Sequence, residues 1–267
     1  LLRVPILIHE QNAFPGMANK WLGKIATKVA VSFKESKQFF PKNKVEVTGN
    51  MIHEKLCQPR EDFAPPSKQP FKILILGGSQ GAHSINLGII EALDFLSDRK
   101  KILQITHQTG EADYEYIKNQ YHEKGFDANV MSFITDMHLQ YRLASLVICR
   151  SGATTIAEIT AAGRVSALIP FPYAANNHQE HNARIIEAAN AGEVILDSEI
   201  SGERLAKSII RAMDEPENLQ KMEDNSYQLG SRDATEKVRK ICEDLVKNQK
   251  NKSKRNNLSK EKIVSCF

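Results

Sequence analysis

The sequence predicts an α/β chain built on parallel sheets, and three observations predict it. Short apolar runs read as strands near residues 4–9, 28–32, 45–48, 71–76, 101–107, 128–132, 146–149, 165–169 and 193–196, with helical patterns between most of them. Such alternation belongs to a parallel sheet carrying helices on both faces. One break interrupts it: "CQPREDFAPPSKQP", residues 57–70, holds four prolines and no periodicity, and reads as a linker. After residue 200 strands cease and helical spacing takes over.

These features divide the 267 residues. Residues 1–56 carry about three strands, too few for a domain, and read as the end of one whose beginning is missing. The chain does not start with Met, and "LLRVPILIHE" reads as a strand already under way, so a truncated N-terminus is expected. Residues 71–215 hold six strands with five intervening helical patterns, a complete doubly wound domain. Residues 216–247 are two further helices, and 248–267 a basic, disordered tail.

Taken in order, the first informative stretch is "HEQNAFPGMANKWL", residues 9–22. A polar cluster follows a strand and leads into a helix whose Ala18, Leu22 and Ile25 are expected to pack inward. Asn12 sits at the strand's exit, where ligands bind in such folds, although a turn also suits asparagine.

The second is "LILGGSQGA", residues 74–82: an apolar strand runs into a bare glycine turn. The helix after it places Ile85, Ile89 and Leu93 on one face, with Ile90 beside them. A strand, a glycine turn and a helix start aim backbone N–H groups and a helix dipole at one point, which makes an anion site. Close helix packing would use the same glycines, and the spacing is neither G-x-G-x-x-G nor G-K-[ST].

In "VICRSGATTIAEITAAG", residues 147–163, a strand ends near Cys149 and a small-residue loop, Ser151 to Ala153, opens a helix. Ile156 and Ile159 face the core; Thr155 and Glu158, three apart, share the face at the mouth of the sheet. A carboxylate there can accept both hydroxyls of a ribose; it also suits the helix dipole without any ligand. "PFPYAANNHQEHNARIIEAA", residues 170–189, is an extended proline loop with Asn177 as N-cap. His178 and Gln179 then point at the same sheet edge, with groups suited to sugar hydroxyls or to simple capping. Next, "SGERLAKSIIRAMDEP" places Leu205, Ile209 and Met213 at helical spacing, with Pro216 as the stop.

Charge narrows the partners. The net charge is +4, but residues 247–262 alone carry seven Lys or Arg against one Glu, leaving the remainder near −2. A body that is not basic argues against nucleic-acid binding. No apolar run is long enough to span a membrane. The four cysteines are scattered without metal-ligand spacing and read as reduced thiols.

"HEQN", "GGSQGA", "SFITDM", "RSGATTIAE" and "NHQEHNA" occur in this order, and with them the chain resembles the MurG family of peptidoglycan glycosyltransferases. The resemblance spans residues 1 to about 247. It implies two Rossmann-like domains of GT-B type, the first incomplete in this chain. It further implies transfer of GlcNAc from UDP-N-acetylglucosamine to lipid I, with inversion, on the cytoplasmic face of the cell membrane as a peripheral protein. No cofactor and no metal are implied.

By the resemblance, Ser79 meets the diphosphate with Gln80 beside it, and Ile134 presents its backbone to uracil. Thr155 lies by the phosphates, Ala153 is a further substrate-binding residue, Glu158 holds the ribose diol, His178 and Gln179 read the GlcNAc hydroxyls, and Asn12 reaches the sugar from the other domain. Two departures stand out. "TGNMIH", residues 48–53, replaces the "GNPVR" of many relatives, so His53 stands where a phosphate-contacting Arg is expected. The "GGTGGH" loop that carries the family's general base and lipid-I site is absent, so no residue is assigned as catalytic and the chain by itself is expected only to bind donor. Two alternatives share the ligand: a UDP-GlcNAc 2-epimerase-like isomerase, and a donor-binding half that needs a partner chain.

Overall fold

The computed structural model describes residues 4–59, 70–77 and 82–264, with side chains through residue 250. Two compact units emerge: described residues up to Asn50 together with those from Asp233 onward, and Met51–Arg232.

In the first unit β1 (Leu7–Glu10), β2 (Lys28–Val31) and β3 (Val45–Val47) form a parallel sheet in the order β1-β2-β3. Its core is Ala26, Val29, Val31, Phe40 and Val45. Helix α1 (Met17–Ile25) turns the face opposite to the expected one inward. Leu22 and Ile25 are exposed at 41% and 68%, Ala18 is exposed too, and Gly23 is buried. The reason is local: a Cβ on Gly23 would stand 2.6 Å from the Phe40 ring, so only glycine lets that ring close on the helix. Asn19 reinforces the rotation by donating 2.8 Å to the buried Glu10 carboxylate.

In the second unit six parallel strands, β4 (Phe71–Leu76), β5 (Leu103–Gln108), β6 (Ala128–Met131), β7 (Leu146–Cys149), β8 (Val165–Leu168) and β9 (Gly192–Val194), lie in the order β6-β5-β4-β7-β8-β9. The helices are α2 (His83–Phe95), α3 (Tyr114–Lys124), α4 (Met137–Leu143), α5 (Ala153–Ala162), α6 (His178–Ala188), α7 (Gly202–Asp214) and α8 (Pro216–Leu229). The nine strands among the described residues fall where the apolar runs place them, with ends shifted by a few residues. A sheet covered on both faces buries both sides of its central strand, and Ile73, Leu74, Ile75 and Leu76 of β4 are each at most 5% exposed. The expected α2 face is buried as well, against Leu205 and Ile209 of α7.

Contacts divide the chain differently from composition. Residues 51–59 group with the second unit because Arg142 donates to the Lys55 carbonyl at 2.7 Å and the His53 and His138 rings stack at 5.5 Å. Of the expected linker, residues 60–69 lie outside the described residues. The two C-terminal helices separate: α8 packs against α5 and β8, whereas α9 (Ala234–Val264) groups with the first unit. Its backbone is helical through most of the stretch expected to be a disordered tail. Residues 248–264 contain no Gly or Pro to end the helix and are rich in Lys, a good helix former.

One buried ion fixes α4. The Arg164 guanidinium donates to the Tyr141 carbonyl at 2.9 Å, to the Arg142 carbonyl at 2.6 Å and to Glu223 of α8 at 3.3 Å. It thereby satisfies carbonyls that the last turn of a helix leaves unpaired.

Close approach of α2 and α7 depends on Gly202, where a Cβ would lie 2.6 Å from the Glu91 carbonyl carbon. Backbone cannot move aside as a side-chain tip can, so Gly202→Ala is expected to lower unfolding free energy by about 1–3 kcal/mol. A shifted urea midpoint at unchanged slope checks it.

Candidate functional site

Strand order reverses between β4 and β7: the chain passes from β4 outward to β5 and β6, then returns to β7 and continues to β8 and β9. Connections leaving the carboxyl ends of β4 and β7 therefore run in opposite directions, and a crevice opens between them. The β4 connection leads to α2 and the β7 connection to α5. At both helix starts the cap residue, Ala82 or Gly152, makes no side-chain hydrogen bond to the first turn. First-turn N–H groups without such caps, at the positive ends of two dipoles, suit an anion. Thr155 is half-buried in the first turn of α5, and Ala153 begins that helix. Ser79 and Gln80, expected in the turn before α2, lie outside the described residues.

Glu158 stands one turn further along α5, half-buried, and accepts the Tyr141 hydroxyl at 3.1 Å. Since Arg164 holds the Tyr141 carbonyl, the carboxylate is set through a chain of buried groups. Burial raises the Glu158 carboxyl above its ordinary range, against the opposing pull of the Tyr141 hydroxyl and His53. Beneath it, burial and the same carboxylate push the Cys149 thiol up to about 12, so this cysteine is an unreactive core group. His53 accepts the Lys55 N–H at its Nδ1, 3.2 Å away, and so caps a short turn. Partial desolvation and the neighbouring Lys55 and His53 push the stacked His138 below its usual range.

The proline loop closes onto the same edge. Ser151 donates to the Gln179 carbonyl at 2.8 Å, Asn182 donates to the Ser151 carbonyl at 3.2 Å, and the Gln179 side-chain oxygen accepts the Phe171 N–H at 3.0 Å. Gln179 is thus fastened beside the start of α5. His178 bonds the Ala175 carbonyl through Nδ1 at 2.7 Å, which leaves Nε2 unprotonated when the ring is neutral. Asn177 holds the N-cap position without capping: its φ of 52° is left-handed and its side chain makes no bond to the first turn. Asn176 shares that conformation, which asparagine tolerates better than most residues.

Ile134 is buried at 3%, and its N–H donates to the Gln108 side-chain oxygen at 2.9 Å, so the N–H half of its backbone is already engaged. Asn12 belongs to the first unit, where its N–H donates to Glu10 at 2.9 Å.

Several groups at this edge escaped the sequence reading. Arg150, which follows β7, donates to Asp197 at 2.5 Å and to Ser84 of α2 at 2.9 Å; Ser84 in turn donates to Asp197 at 3.0 Å. The position of Arg150 within "RSGA" was the only available signal. Under the β5 end, Asn86 of α2 donates to Asp113 at 2.7 Å and to the Thr109 carbonyl at 3.0 Å. Its remaining oxygen faces His107 Nε2 at 2.9 Å, so that nitrogen carries the proton, and His107 Nδ1 accepts the Tyr121 hydroxyl at 2.9 Å.

Residues 72–262 match the model of the glycosyltransferase family 28 C-terminal domain, and residues 1–31 that family's N-terminal domain. A curated relative from Thermodesulfovibrio yellowstonii is 44% identical over 94% of this chain and 69% of its own length. It is named UDP-N-acetylglucosamine–N-acetylmuramyl-(pentapeptide) pyrophosphoryl-undecaprenol N-acetylglucosamine transferase. The crystal structure of Acinetobacter baumannii MurG matches with a TM-score of 0.77 at 30% identity, over 90% of this chain and 68% of that one. A putative UDP-N-acetylglucosamine 2-epimerase from Listeria monocytogenes matches with a TM-score of 0.62 at 15% identity, over 87% of this chain and 66% of that one, a likeness of fold alone.

Burial holds the His107 imidazole at a pKa of about 3, well below the 6.5 of an exposed histidine. Between those values the unfolded chain binds a proton that the folded one refuses, so stability falls as pH drops below about 6.5. The loss grows by up to about 1.4 kcal/mol per pH unit and reaches about 2 kcal/mol at pH 5. His107→Gln, which cannot titrate, is expected to lose that increment of pH dependence in urea titrations at pH 7 and pH 5.

Proposed function

The chain belongs to the MurG glycosyltransferases of family 28, and on that premise we propose that it serves the transfer of GlcNAc from UDP-N-acetylglucosamine to lipid I, giving lipid II. The observation that carries the donor half of this reading is the pair of helix starts without side-chain caps flanking the crevice, with Glu158 one turn above.

The pyrophosphate lies against the first turns of α2 and α5, with Ser79, Gln80, Ala153 and Thr155 as its neighbours. Glu158 accepts both ribose hydroxyls. Ile134 meets the uracil, and because its N–H is engaged by Gln108 its carbonyl makes the contact. His178 and Gln179 read the GlcNAc hydroxyls from the clamped proline loop. The acceptor hydroxyl attacks the anomeric carbon as the bond to the UDP oxygen breaks, with inversion, and its proton is given up to solvent. Charge developing on the leaving diphosphate is stabilised by backbone N–H groups already oriented before the reaction. An acceptor carried on a lipid places the reaction at the cytoplasmic surface of the membrane, with the protein peripheral. Among the described residues no helix is long and apolar enough to cross a membrane. The isomerase alternative rests on fold likeness alone.

Glu158→Ala removes a charge-assisted pair of hydrogen bonds, each contributing roughly 1.5–3 kcal/mol without simple additivity. Affinity for UDP-N-acetylglucosamine is expected to fall tenfold to a hundredfold in a calorimetric titration, on the order of 1.4–3 kcal/mol. The variant is expected to stay folded and to bind a 2′-deoxyribose donor about as well as the natural one. Continued discrimination of ribose from deoxyribose by the variant would overturn the assignment.

A further inference from the structure

We infer that Tyr141 is a positioning residue for the ribose, and that its hydroxyl, 3.1 Å from Glu158 Oε2, sets the pH range over which the chain holds its donor. The inference rests on the reading of Glu158 as the acceptor of the ribose hydroxyls.

Tyr141 lies on α4 and is 1% exposed. Arg164 holds its carbonyl at 2.9 Å, and its hydroxyl donates to Glu158. With the ring buried and the backbone held, the hydroxyl cannot turn to water instead, and it fixes the carboxylate that accepts it. Burial lifts the Tyr141 pKa well above its ordinary range, so the hydroxyl keeps its proton and remains a donor.

Glu158 needs that donor because of what a diol asks of it. Two ribose hydroxyls offer two O–H donors, and an ionised carboxylate has about four lone-pair sites, of which Tyr141 occupies one. A protonated carboxyl turns one oxygen into a donor, which then meets the diol donor to donor. Burial raises the Glu158 carboxyl and so favours that protonated form; the Tyr141 hydroxyl opposes it. A hydrogen bond to a charged acceptor is roughly twice as strong as one to a neutral acceptor, so Tyr141 stabilises the ionised form selectively. Cys149 of β7 and His53 also act on Glu158. The thiol, pushed up to about 12, keeps its proton, and His53 is retained in each variant of the test, so its effect cancels.

Calorimetric titration of the full chain with UDP-N-acetylglucosamine at about pH 8 and about pH 5.5 tests this; each phosphate of that donor is a diester and does not titrate between them. Tyr141→Phe keeps the ring and removes the hydroxyl. It is expected to weaken donor binding about threefold to tenfold at the higher pH and by a larger factor at the lower, so that affinity begins to fall at a higher pH than in wild type. Preference for the donor over its 2′-deoxyribose analogue is expected to narrow with it. Glu158→Gln cannot titrate, and adding Tyr141→Phe to it is expected to leave the pH profile where Glu158→Gln alone puts it. A profile that Tyr141→Phe does not move overturns the inference, even where the melting temperature falls; so does a shift that persists in the Glu158→Gln background. If Glu158→Gln binds donor as wild type does, with the same preference for ribose, the ribose reading itself fails; if Glu158→Gln binds weakly and Tyr141→Phe does not, only this inference does.

Discussion

The reversal of strand order between β4 and β7 is the constraint on which the rest of the second unit depends. A parallel sheet sends every connection from a strand's carboxyl end to a helix on one face or the other. Where the winding reverses, two connections part and two helix starts lie on either side of the gap. Among the described residues the strand order of this sheet reverses at no other point. The site then follows from what the sequence puts there: small residues and glycine in the connections, helix starts without side-chain caps, and a carboxylate one turn up α5.

That carboxylate is useful only if it is held, and its support comes from buried polar groups rather than from α5 itself. Glu223 of α8 meets Arg164, Arg164 holds the carbonyl of Tyr141, and the Tyr141 hydroxyl holds Glu158. Removing one partner of a buried charge pair costs several kcal/mol, on the order of 3–5, so this chain is a rigid support. A second network, Asn86–His107–Tyr121, fastens the start of α2 to the end of β5 in the same manner. Ser84, Arg150 and Asp197 close the third side by linking α2 to the segments beyond β7 and β9.

Much of this was legible in the sequence, for reasons that differ by residue. The strands were legible because buried parallel strands are continuous apolar runs between turn residues, as "FKILIL" shows. Glu158 was legible because helical spacing puts it on one face with Thr155. The inward face of α1 was not, because periodicity reveals a stripe, whereas the Phe40 ring over Gly23 decides which stripe faces in. Asn177 fits the composition of an N-cap, yet its left-handed backbone turns the side chain away from the first turn. The partners of Gln108, Tyr141 and Arg150 were invisible because they lie 26, 17 and 47 residues away, and no local pattern encodes such pairs.

The central claim is the place of the diphosphate, and a crystal structure of the chain with UDP bound tests it most directly. The account predicts phosphate oxygens within hydrogen-bond distance of first-turn N–H groups of α2 and α5, with the ribose hydroxyls on Glu158. UDP bound with its diphosphate away from both helix starts would contradict it.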